Sequence, residues 1–234
     1  MLDKLLLAIY IVHMNRKSLK ERAKILSSLV DGNNIHGSSR MTGVSKNTVA
    51  RLLVEVGRAT TLYQNEHMVN LPCKHIRVDS IWSFAHAKQK NISNDKFNQI
   101  RDIWTWTAVC ADTKLVPSWC VGAGSSETSN SFIRDLGKRM AHQIQLTPPS
   151  LETTTESFEG DVDLVAKTGT ESFAGPTNTF SKKIENHLYA VSLHFMYYNF
   201  SKAHKALRTT PAIEAGVTDH FWTLEEIVAL ADRT

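Results

Sequence analysis

The stretch IRVDSIWSFAHAKQK, residues 76–90, carries a strand pattern with one charged exception. Ile76, Val78, Trp82 and Phe84 fall two apart, with Ser80 interrupting, as on one face of a β-strand. Asp79 sits on the opposite face, between Arg77 and Ile81. A carboxylate in a strand bound for a core is costly unless it has a partner, a metal or a solvent cleft. The alternative is an edge-strand Asp facing water, because Asp is mostly exposed in folded proteins.

The sequence after this stretch continues in strands. In DIWTWTAVCADTK (102–114), Ile103, Thr105, Thr107 and Val109 alternate with Trp104, Trp106, Ala108 and Cys110. ADTK is turn chemistry, and LVPSWCVGAG (115–124) reads as the returning strand, with Pro117 near its start or at an edge. SSETSNSFIRDLGKRM (125–140) predicts a helix opened by capping serines. IQLT (144–147) predicts a short strand, which Pro148 and Pro149 end. Three strands, a helix and a fourth strand predict an α/β (α+β) domain with a mixed sheet. Residues 148–178 are acidic, rich in Thr and Gly, and hold no long element. Phe180, Ile184, Leu188, Val191, Phe195 and Tyr198 then recur at three and four, as on a long helix. Thr223 can cap a last short one, LEEIVALAD.

Upstream the periodicity is helical. SLKERAKILSSLVDGNN (18–34) has Ser18 as cap and Glu21 completing a capping box, with Leu19, Ala23, Leu26 and Val30 on one face and Gly32 at its end. IHGSSRMTG (35–43) reads as a short helix stopped by Gly43. SKNTVARLLVEVG (45–57) reads as a third, capped by Ser45 and ended by Gly57, with Val49, Leu52, Leu53 and Val56 inward. Helix, short helix, Gly-containing turn and polar-started helix make a helix-turn-helix pattern, whose last helix enters the major groove by its first residues. Ser45, Lys46, Asn47, Thr48 and Arg51 are the candidate DNA-binding residues. Asn and Arg bond adenine and guanine in bidentate fashion, and Lys meets guanine or phosphate. A plain three-helix bundle with a solvated polar face is the alternative.

Composition sets the bounds. A chain of 234 residues, 42% hydrophobic and 21% charged, can bury a sizeable core. Its net charge of +4 is unevenly spread. Residues 14–75 carry ten Lys/Arg against four Asp/Glu, and residues 76–143 nine against six. Residues 144–175 carry one against six, and the rest is balanced at six each. A basic N-terminal third suits a polyanion such as nucleic acid. Cys73, Cys110 and Cys120 form no C-x-x-C pair, which predicts reduced thiols in a cytoplasm. Cys73 and His75 lack a second ligand pair, so no zinc is assigned. The run LLLAIYIV (5–12) is too short to span a bilayer and precedes no small-residue cleavage site. A packing helix, or a start at Met14, accounts for it.

Blocks of the sequence, in order, resemble the DDE transposases of bacterial insertion sequences, closest to the insertion-sequence-one type. SRMTGVSKNTVARLLVEVG is similar to that family's helix-turn-helix, IRVDSIWSFAHAKQKN to its first catalytic strand, and WTWTAVCADTKLVPSWCVG to the next hairpin. NTFSKKIENHLYAVSLHFMYYNFSKAHKALRTTPAIEAGVTDHFW resembles its C-terminal helix and tail. The resemblance implies a helix-turn-helix over 14–60, a linker over 61–75 and an RNase H-like core over 76–234. It also implies that Asp79 is the first of three catalytic, metal-binding carboxylates. Such enzymes hydrolyse a phosphodiester and join the freed 3′-OH to target DNA with two Mg²⁺ ions, which take hard oxygen ligands. Further implied are double-stranded DNA (the element's own ends) as partner, a homo-oligomer, no membrane, and a cytoplasmic, nucleoid-associated location.

The chain departs from that pattern where catalysis needs it. The second Asp should follow IQLT with Gly after it, but Pro148, Pro149 and Ser150 stand there. After LETTTESFEGDVDLVAK the sequence moves within a few residues to TGTESFAGPTNTFSKK, so the helix bearing the catalytic Glu is missing. Glu171 is the acid near the junction that could replace that Glu, in a Gly-flanked setting unlike a helix interior, and Asp161 and Asp163 could take the second position, where a solvated loop is the alternative. His187, His194 and His204 share a helix and its exit, where structural or DNA-facing roles are expected before metal ligation. The expectation is a DNA-binding protein with impaired cleavage. The alternative is a helix-turn-helix regulator binding the ends of its own element without catalysis.

Overall fold

A computed structural model describes residues 16–84, 102–147 and 182–233. Three helices come first: α1 (Leu19–Val30), α2 (Ile35–Thr42) and α3 (Lys46–His67). Ser18 and Glu21 form the capping box foreseen for α1, each side chain bonding the other residue's backbone N–H. β1 (His75–Phe84), β2 (Asp102–Cys110) and β3 (Ser118–Ala123) follow, then α4 (Ser126–Arg139) and β4 (Gln145–Thr147). The chain closes with α5 (Lys182–Phe200), α6 (Pro211–Glu214) and α7 (Leu224–Leu230). Thr223 and Glu226 build a second capping box, on α7.

The strands form one mixed sheet in the order β3-β2-β1-β4. β1 and β2 pair antiparallel from Ile76↔Cys110 to Phe84↔Asp102, and β2 and β3 from Ile103↔Ala123 to Ala108↔Ser118. β4 runs parallel to β1, pairing His75↔Gln145 to Arg77↔Thr147. β3 and β4 therefore point the same way, and α4 supplies the crossover that parallel strands require. β1 lies between β2 and β4, but its pairing with β4 covers only His75–Arg77, so at Asp79 the described ladder continues on the β2 side alone.

Directly opposed residues of an antiparallel pair share a face, which sorts the sheet's two sides. Ile76, Val78, Trp106, Ala108 and Cys120 are buried on one side, where Phe132 of α4 lies 6.5 Å from the Trp106 ring. Ile103, Thr105, Thr107 and Val121 are buried on the other, beneath α5. Phe195 stacks on Trp119 at 6.2 Å, and Asn199 bonds both backbone groups of Val116, at 3.0 and 2.9 Å.

α5 is wedged between the sheet and the N-terminal helices. Of its expected stripe Leu188 is buried but Val191, Phe195 and Tyr198 are only half-buried, and Phe180 lies outside the described residues, whereas Tyr189, Leu193, Met196 and Phe200 are all buried. Those residues face α3. The third helix was expected to end at Gly57, yet it continues to His67 because Gly57 is a packing position. A Cβ there would lie 2.4 Å from Cβ of Tyr189. Further along, Thr60 Oγ1 meets Ser192 Oγ at 2.9 Å, and Gln64 donates to Ser192 O at 3.3 Å. Residues 61–75, expected as a linker, hold the last turns of α3 and the buried side chains of Met68, Leu71 and Cys73.

The C-terminal helix closes against the first. Ile227 and Val228 are fully buried, and Arg22 on α1 makes two bonds to Asp232, at 2.7 and 2.8 Å. Cys73, Cys110 and Cys120 are free and buried. Among the described residues, no helix is long and apolar enough to cross a membrane.

Candidate nucleic-acid interface and the surroundings of Asp79

The corner between α2 and α3 is built from local capping chemistry. Asn34 caps α2 by accepting from Gly37 N at 2.8 Å. Gly43 ends it in the left-handed region (φ 72°), a conformation costly for residues with a Cβ. Ser39 Oγ then donates to Val44 O at 2.6 Å, which holds the turn. Ser45 restarts the chain as a helix by accepting from Thr48 N at 3.2 Å. Val49, Leu52, Leu53 and Val56 are buried, which turns the opposite side of α3 outward.

The five candidate DNA-binding residues differ in what they have left to offer. The hydroxyls of Ser45 and Thr48 bond each other at 2.9 Å and serve the cap, and Thr48 is half-buried. Lys46 and Asn47 are exposed. Arg51 is 71% exposed, and among the described residues its ion pair is a loose 3.7 Å contact to Glu55. An exposed ion pair of that kind is worth little, so the guanidinium is available to a ligand. Lys46, Asn47 and Arg51 thus form the outward chemistry of this helix start. The positive end of the helix dipole lies behind them, favouring an anion.

Asp79 stands opposite Thr107, on the side of the sheet that α5 covers. Its side chain is 45% exposed, and Arg77, two residues back on the same face, approaches it at 3.2 Å. The β1–β4 pairing stops at Arg77, short of Asp79. Positions 148–150, together with Asp161, Asp163 and Glu171, lie outside the described residues. Among the described residues, no group of three or more His, Cys, Asp or Glu could hold a metal. One carboxylate already beside a guanidinium does not fit Mg²⁺, which needs several converging oxygens.

The histidines of α5 have structural surroundings. His187 Nε2 lies 3.5 Å from Thr105 Oγ1, and burial holds its pKa below the ordinary imidazole value. His194 packs edge-on against Phe195 at 5.3 Å. His204 donates its backbone N–H to Thr209 O at 2.8 Å. His187 and His194 also border a cleft of ≈ 420 Å³ between the α1–α2 corner and α5, floored by Leu29, Leu53 and Leu193. Neither the Thr105–His187 contact nor this cleft has a local signature, because each joins segments distant in sequence. Arg77 beside Asp79, by contrast, follows from the period-two alternation already quoted.

No protein family, curated protein or solved structure matches the chain.

Proposed function

We propose that this chain is a transposase-family DNA-binding protein that grips duplex DNA through the start of α3 and lacks a working cleavage site. The observation that carries the reading is the exposed trio Lys46, Asn47 and Arg51 on a Ser45-capped helix that follows a tight Gly43 turn. On this reading α1–α3 are a helix-turn-helix. Asn47 and Arg51 read base edges in the major groove, and Lys46 holds guanine or a phosphate. The mixed β3-β2-β1-β4 order, with Asp79 on β1, supports an RNase H-like core. The DNA is the terminal sequence of the chain's own element. Homo-oligomerisation and a nucleoid location belong to the same reading.

Impaired cleavage rests on the donor set. Among the described residues Asp79 has Arg77 rather than a second carboxylate beside it, and Pro148 and Pro149 follow β4 where the resembled family carries its second Asp. Two-metal phosphoryl transfer demands ions held on both sides of the reacting phosphate. The test is incubation of the purified chain with supercoiled DNA in Mg²⁺ or Mn²⁺, scoring both retardation and nicking. Retardation without nicking, identical for Asp79→Asn, is the expected result. Metal-dependent nicking that Asp79→Asn abolishes contradicts the proposal. The same donor set is compatible with a helix-turn-helix regulator of its own element. Repression in trans, with no metal dependence of DNA binding, distinguishes that role.

A further inference from the structure

The loop between α5 and α6 gathers the positive charge of the C-terminal region. Residues 200–213 hold Lys202, Lys205 and Arg208 and not one acid, although residues 176–234 balance overall. All three side chains are exposed, and none enters an ion pair among the described residues. Lys202 lies in the turn where α5 ends, its N–H bonding Tyr197 O at 2.9 Å, so the helix dipole accounts for a cation there. Dipole effects fade within a turn, however, and Lys205 and Arg208 lie beyond it.

The loop is also held in shape. His204 O accepts from the N–H groups of both Leu207 and Arg208, at 3.1 and 2.9 Å, and His204 N donates to Thr209 O at 2.8 Å. Arg208 occupies the left-handed region (φ 58°), which costs a residue with a Cβ on the order of 1 kcal/mol. Thr210 anchors the far end by capping α6. Three cations are therefore presented by a preformed turn.

Its position separates it from the start of α3. α3 and α5 run parallel, since Gly57 meets Tyr189, Thr60 meets Ser192, and Tyr63 lies 5.7 Å from Phe200. The loop that follows Phe200 thus lies toward the far end of α3 from Lys46. At 1.5 Å per residue, Tyr63 and Lys46 are about 25 Å apart along the helix. We infer that the 202–208 loop is a second polyanion site, which holds the phosphates of a duplex other than the one at α3. This extends the DNA-binding reading and is tested apart from it.

The experiment uses the full chain carrying Lys46→Ala and Arg51→Ala, and a short labelled duplex of arbitrary sequence followed by anisotropy across a salt series. Residual binding is expected, with a slope of log K against log salt of about −2 to −3 from three phosphate contacts. Adding Lys202→Glu, Lys205→Glu and Arg208→Glu should weaken that residual binding at least about tenfold. Lys202→Gln with Lys205→Gln should fall between, and repeats the test without charge reversal if the triple variant melts. No residual binding, or residual binding unchanged by either set, overturns the inference. So does wild-type binding to phosphatidylserine vesicles that is tighter than to duplex and lost with the loop charges, which assigns the loop to a membrane surface. Full affinity in Lys46→Ala/Arg51→Ala alone contradicts the α3 reading and leaves the loop comparison standing.

Discussion

Gly57 of α3 and Tyr189 of α5 meet so closely that a Cβ on Gly57 would lie 2.4 Å from Cβ of Tyr189 and 2.9 Å from its backbone. The helix that offers Lys46, Asn47 and Arg51 to solvent is thereby pinned along the helix that covers the sheet. Gly57→Ala sets two effects against each other. Helix propensity favours Ala by about 1 kcal/mol, whereas forcing a methyl against backbone costs about 1–3 kcal/mol and can exceed that. Because the obstruction includes backbone rather than a movable side-chain tip, packing wins. The expected outcome in denaturant titration is a net loss of about 1–2 kcal/mol. A stabilised variant would show that α3 and α5 are not in this contact.

Arg22 is nearly buried, 9% exposed at its side chain, and among the described residues the carboxylate it bonds is Asp232, with the charge of Glu55 adding a weaker attraction. Asp232 also meets Arg16 at 2.7 Å. Removing the acid leaves a guanidinium in an apolar setting, which costs several kcal/mol in a fully buried pair. Asp232 is 37% exposed, so solvent screens part of that effect. Asp232→Asn should therefore lose about 1–2 kcal/mol of stability, and high salt should narrow the difference from wild type. An unchanged unfolding midpoint would mean that α7 does not close on α1.

His187 predicts a pH dependence of defined sign. Burial against Thr105 lowers its pKa in the folded chain, so the unfolded chain binds the proton more readily. Stability is fully present above the unfolded value near 6.5, and is lost as pH falls from there through the folded value. His194 shifts in the same direction, through desolvation and then the charge of Lys202, but its side chain is exposed, so solvent screens its share. The melting temperature should fall between pH 7 and pH 5, and less so in His187→Gln. Equal slopes in the two proteins would place His187 in solvent.

What could be read from the sequence was local. The Ser18–Glu21 capping box and the Thr223 cap act within three residues and are visible in the chain, though the return bond of Glu226 to Thr223 is not foreseen there. The period of two through Ile103–Cys110 placed Thr105 and Trp106 on opposite faces, as found. Gly57 misled because it has the signature of a helix end, and its reason lies 132 residues away in Tyr189. The Arg22–Asp232 bond, separated by 210 residues, leaves no pattern at all. Asp79 was set opposite the face of Ile76 and Val78, as found, but that β4 pairs with β1 only as far as Arg77 depends on a strand that arrives after a helix. The outward face of α3 followed from helical period. That Ser45 and Thr48 turn their hydroxyls to each other did not.

The most direct test of the account is duplex binding as a function of salt, comparing wild type with Lys46→Ala/Arg51→Ala. Each cation that neutralises a phosphate adds about 0.9 to the magnitude of the slope of log K against log salt, and a base-edge contact adds affinity on top. The account predicts tight, salt-sensitive binding by wild type. It also predicts a slope shallower by about 2 in the variant if both cations meet phosphate, or by about 1 if Arg51 reads a base. Equal affinity and equal slope in the two proteins would contradict it, because α3 would then have no part in holding DNA.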